Sequence, residues 1–129
     1  VIEAAMPDDD ASPRGGSGRP LRLPPDSFRA EVVDDEFGRP IVVVTGEVDM
    51  AVRDELWDRI EESLRRDARL VLDMRATSFM DSTGLGALAM AHQATGQMNE
   101  GVVLRSPQPA VLHVLQVSGL DQVVTIDSD

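Results

Sequence analysis

This sequence predicts a small α/β fold with a mixed, mostly parallel sheet and helices packed against it, and three observations predict it. Short runs of β-branched and aliphatic residues alternate with longer segments whose apolar residues recur at helical spacing. The first two runs are joined only by a turn-rich segment, which makes an antiparallel hairpin. Each later run is reached through a helical segment, which makes a parallel crossover. The chain has 129 residues, 42% of them apolar, enough for one domain that buries about two-thirds of its unfolded surface.

The elements follow in order. Residues 1–26 are acidic and rich in Pro and Gly without apolar periodicity, and they are expected to form a disordered tail before a folded unit at 27–129. Phe28 to Val33 and Ile41 to Thr45 read as strands joined by the turn-rich segment from Asp34 to Pro40. Val52, Leu56, Ile60 and Leu64 recur every four residues, with Trp57 widening the stripe and Asp49 as N-cap. On the outer face of that helix Glu55–Arg59, Glu61–Arg65 and Glu62–Arg66 are i,i+4 pairs with the acid first.

Leu70 to Met74 reads as a buried strand, and Ser82 to Thr95 as a helix with Leu85, Leu88, Ala89 and His92 on one side. Val102 to Leu104 is the next strand. Ser106 and Pro107 supply a cap and first turn for a helix bearing Val111, Leu112 and Leu115 and ending near Gly119, and Val123 to Ile126 closes the set. Met74, Met80 and Met90 are expected to fill gaps in the core.

Composition narrows the function classes. A net charge of -11 opposes a general attraction for phosphate backbones or anionic lipid, so neither nucleic acid nor a membrane is an expected partner. All the basic residues are Arg, which excludes Lys nucleophiles, and the absence of Cys excludes disulfides, thiolates and Cys-ligated metals. No spanning segment or signal pattern is seen, so the expected compartment is the cytoplasm. His92 and His113, the two histidines, fall on apolar helix faces, and no ligand spacing links them to carboxylates. Neither a catalytic base, a metal site nor a cofactor is expected.

The most informative block is Phe79-Met80-Asp81-Ser82-Thr83-Gly84-Leu85-Gly86, which sets two hydroxyls and an acid at the start of a helix. A helix start favours negative charge, including a phosphate on its own first serine. Spacing alone leaves two readings open: a phosphate-bearing site, or an N-cap followed by glycines that permit close packing. Gly46-Glu47-Val48-Asp49 occupies an equivalent strand end and is, by itself, a turn with a cap.

Taken together, Thr45-Gly46-Glu47-Val48-Asp49, the Asp81 to Gly86 block and Ser118-Gly119-Leu120 resemble the bacterial anti-sigma factor antagonists of the STAS domain family, in order and over roughly Phe28 to Ile126. The resemblance implies a single non-enzymatic STAS domain that binds an anti-sigma factor serine kinase and so frees a sigma factor. It implies phosphorylation on Ser82, which abolishes that binding, and a serine phosphatase that reverses it. It places Asp49, Asp81, Ser82, Thr83 and Gly84 at the partner surface. The rival implication is a non-switching STAS interaction module, such as a stressosome-like scaffold or a transporter's cytoplasmic partner, in which Ser82 is only a cap.

Overall fold

A computed structural model describes residues 28–97 and 100–128, so the expected disordered tail at 1–26 lies outside the described residues. Five strands, β1 (Arg29–Asp34), β2 (Pro40–Val48), β3 (Leu70–Met80), β4 (Val102–Arg105) and β5 (Thr125–Asp127), form one sheet in chain order. β1 pairs antiparallel with β2, and every later neighbour is parallel. Between them run α1 (Arg53–Leu64), α2 (Ser82–Ala94) and α3 (Pro109–Ser118). The α/β class, the opening hairpin and the element order are those the sequence predicts.

Parallel crossovers that advance steadily across a sheet are right-handed, and they lay their helices on one face. Alternate residues Val42, Val44 and Val48 of β2, Leu70, Leu72 and Met74 of β3, and Val102 and Leu104 of β4 accordingly share one core with Leu56 and Ile60 of α1, Ala87, Leu88 and Ala91 of α2, and Val111 and Leu115 of α3. The intervening Val43, Val71, Asp73 and Arg105 lie on the opposite face and are half-buried. The hairpin turn is closed by Asp35, whose carboxylate accepts from Phe37 N, Arg39 N and Arg39 Nε at 2.8, 2.9 and 3.1 Å. Those bonds, led by the Arg39 backbone N–H, hold its carboxyl below the usual carboxylate range.

Several local expectations are corrected. β3 runs on to Met80, well past the predicted end at Met74, and it does so by bulging against β2: the register shifts between Val43 and Thr45 and again between Gly46 and Glu47. Gly46 meets the second irregularity with φ +92, which only glycine adopts without strain. The buried Thr77 Oγ1 donates to the Val44 carbonyl at 2.8 Å, at the residue of β2 that the register with β3 skips.

The buried face of α2 is Gly84, Ala87, Leu88 and Ala91, whereas Ala89, predicted inside, is exposed. Small residues let this helix approach the sheet closely, so size and hydrophobicity do not mark its inner face. Ser106 is not a cap. It sits at φ +53 and its N–H extends the pairing of β4 with β5 by donating to the Asp127 carbonyl at 2.6 Å. Helix α3 starts instead from Gln108 and Pro109, and its C-cap is Gly119 at φ +83. On α1, Arg59 pairs with Glu62 at i,i+3 and 3.2 Å, and Arg66, beyond the helix end, crosses to Asp34 at 2.8 Å.

Removing the Thr77 hydroxyl while keeping its shape should isolate the worth of the bulge contact. Thr77→Val is expected to cost about 1–3 kcal/mol because the Val44 carbonyl stays buried without its donor. Chemical denaturation of the two proteins checks this, and an unchanged midpoint would contradict it.

Candidate functional site

Two strand-to-helix junctions meet at the carboxyl edge of the sheet, the edge at which α/β folds place their binding sites. β2 ends at Val48 and is followed by Asp49, β3 ends at Met80 and is followed by Asp81, and Val48 and Met80 are register partners. The N–H of Asp81 donates to the Val48 carbonyl at 3.1 Å, which carries the pairing one residue past the strand. The two aspartates are thereby held on neighbouring segments.

Each aspartate is spent on a cap. Asp49 Oδ1 accepts from Ala51 N at 3.0 Å and starts the short 3-10 turn Met50–Val52 that leads into α1. Asp81 Oδ1 accepts from Thr83 N at 2.8 Å and starts α2. Because Asp81 takes the cap, Ser82 becomes the first residue of the helix. Its side chain is exposed and its hydroxyl makes no hydrogen bond among the described residues. Thr83 beside it is half-buried.

Gly84 is buried, so it shapes this surface from beneath and does not line it. A Cβ there would overlap the side chain of Met80 and come within 3.1 Å of Val48 Cγ1. The first turn of α2 can therefore lie against the ends of β2 and β3 only with glycine at this position. Gly86 differs, with open space where its Cβ would be.

Between α1 and α2 a groove of about 400 Å³ opens beside Ser82. Met50, Trp57, Ala87 and Met90 give it apolar walls, while Arg53, Asp54, Ser82 and Thr83 give it polar ones. Met50 and Met90 are 75% and 47% exposed, so Met90 belongs to this groove, although Met74 and Met80 do fill the core as expected. Sequence reading missed the groove because Trp57 and Met90 carry the apolar signature of core residues. The one available signal was Met50, an apolar residue directly after a capping aspartate. Neither histidine lines the groove: His92 lies in the last turn of α2 and His113 is exposed on α3. Among the described residues no group of three His, Asp or Glu could hold a metal, and no helix is long and apolar enough to cross a membrane.

The family model described as "Mlab, STAS domain" matches residues 32–125, which span the sheet, the helices and both junctions. The chain belongs to the STAS domain family. It is 28% identical over 98 residues to the anti-sigma F factor antagonist of Paenibacillus polymyxa, covering 73% of this chain and 84% of that protein. It is 26% identical over 85 residues to a STAS-domain containing protein of Pseudomonas aeruginosa (strain UCBPP-PA14), covering 66% of this chain and 84% of that one. The crystal structure of an anti-sigma factor antagonist from Mycobacterium paratuberculosis matches with a TM-score of 0.68 at 28% identity, over 82% of this chain and 90% of that chain. The five-stranded mixed sheet with three helices is the STAS fold.

The two glycines of the first turns of α2 should separate cleanly on mutation. Gly84→Ala is expected to destabilise the domain by about 1–3 kcal/mol through overpacking. Gly86→Ala, with space for its methyl, should be neutral or stabilising by up to about 1 kcal/mol. Thermal denaturation of both variants measures the contrast, and equal losses would refute the packing argument.

Proposed function

We propose that this protein is an anti-sigma factor antagonist controlled by phosphorylation of Ser82. The unphosphorylated form binds an anti-sigma factor that is also a serine kinase, and the sigma factor held by that kinase is released. The kinase transfers the γ-phosphoryl group of ATP to Ser82 Oγ, the hydroxyl proton leaves and ADP departs. The phosphorylated form no longer binds, and a serine phosphatase restores it. All of these partners act in the cytoplasm.

The observation that carries this reading is the division of roles between Asp81 and Ser82. If Ser82 were the cap, its oxygen would be engaged by the helix; with Asp81 as cap, the serine hydroxyl is exposed and unbonded at the helix start. The similarity to two proteins named anti-sigma factor antagonists supports the same role. A phosphate there adds about -1.5 to -2 charge where the helix dipole favours it, so the fold survives modification. The complex does not, because the charge arrives beside Asp81 in a surface that must shed water to bind. A penalty of about 2.7 kcal/mol is already a hundredfold loss of affinity.

Three variants test the switch. Ser82→Ala should bind the kinase and resist inactivation, Ser82→Asp should fold but bind about a hundredfold more weakly, and Thr83→Ala should still accept phosphate. Calorimetric titration and phosphopeptide mapping read these out. Equal affinity for the Ala and Asp forms, or phosphate on Thr83, would defeat the mechanism.

Asp49 and Asp81 belong to the same partner surface in this reading, beyond their capping roles. Asp49→Asn keeps most of a cap while removing the charge. Kinase binding should weaken while stability changes by about 1 kcal/mol or less. Proportionate loss of both would make Asp49 a structural residue only.

A further inference from the structure

We propose that Arg53 is the counter-ion of phosphorylated Ser82, an assignment that rests on Ser82 being the acceptor. Arg53 opens α1, Ser82 opens α2, and both line the groove that opens beside Ser82 between those helices. The guanidinium is exposed and unengaged: the ion pairs among the described residues use Arg29, Arg39, Arg59, Arg66 and Arg105, and Arg53 enters none. It also stands where a cation is least favoured, at the first position of a helix whose dipole presents positive charge there. The arrangement becomes favourable once a dianion arrives across the groove.

The charges around Ser82 make that need concrete. Asp81 is its chain neighbour and Asp54 lines the groove from α1, so a phosphate enters a field set by two carboxylates in a chain of net charge -11. Arg53 is the cation of the groove lining. A guanidinium presents paired N–H donors that fit two phosphate oxygens at once, which a point charge cannot do. The two aspartates raise the second ionisation of the phosphate and Arg53 lowers it.

The test installs phosphoserine at position 82 during translation of the full chain, so no kinase is needed. Phosphorus NMR then follows the second ionisation, which lies near pH 6 for an unperturbed phosphomonoester. Arg53→Gln should raise its midpoint by about half a pH unit or more, a change of about threefold in proton affinity, and Arg53→Lys should fall between. The unphosphorylated Arg53→Gln chain should melt with the parent, which separates a local charge effect from a folding defect. Superimposable titrations of the parent and Arg53→Gln forms would overturn the assignment. A kinase that ignores Ser82 would overturn the acceptor reading and leave the titration result standing.

Discussion

The parallel pairing of β2 with β3 at its carboxyl end is the constraint on which the rest of this surface depends. One backbone hydrogen bond, from Asp81 N–H to the Val48 carbonyl, continues that pairing beyond the strands, and the contact of Gly84 with Met80 and Val48 seats the first turn of α2 on the same corner. A single such bond is worth only about 0.5–1.5 kcal/mol net. Its effect is positional: it fixes where one helix begins relative to the segment that starts another. Displacing the corner by one residue would turn Ser82 off the surface and carry Asp81 off the cap. The register irregularities upstream, with Gly46 at positive φ and Thr77 bonded to Val44, are how two strands with unequal residue counts still finish level.

Most of the architecture is legible in the sequence because its signals are local. The hairpin needs only a turn between two apolar runs, and α1 needs only Leu56 and Ile60 at the right spacing. The capping role of Asp49 stands out for the same reason, since a cap acts on amides two residues away, whereas the sequence leaves the second cap open between Asp81 and Ser82 and the fold gives it to Asp81. What escaped was set by tertiary contact. The extension of β3 through Arg75 to Phe79 has no apolar alternation to announce it, because the bulged ladder breaks the two-residue period. The inner face of α2 is built from Gly84, Ala87 and Ala91, which are buried by close approach and not by size. Arg66 abandons Glu62 for Asp34 because it lies beyond the last turn of α1. Ser106 and Pro107 imitate a helix start, but the pairing of Ser106 with Asp127 keeps the chain in the sheet for longer.

The candidate site divides in the same way. Ser82 and its neighbours form a contiguous motif, whereas the groove needs Met50 and Trp57 from one junction and Met90 from another helix. No window of the sequence holds them together. Trp57 is the only tryptophan of the chain and faces that groove, so the feature hidden from sequence is also the one that a change of environment would report on most directly.

Why a phosphate could break a complex without breaking the fold follows from where its charge is solvated. On the proposed assignments, an exposed phosphate at the start of α2 in the free protein would keep water on its open side, gain from the helix dipole and face the Arg53 guanidinium across the groove. Each of those terms survives as long as the groove stays open. A partner that closes over Ser82 removes the water first, and the repulsion from Asp81 and Asp54 then acts at a lower effective dielectric, where it grows severalfold. The same groove can hold a counter-ion only if it is not filled by the partner. In the proposed switch, folding and binding would therefore respond to one charge with opposite sign, and the geometry that would separate them is the placement of the cap on Asp81 and the exposed hydroxyl on Ser82.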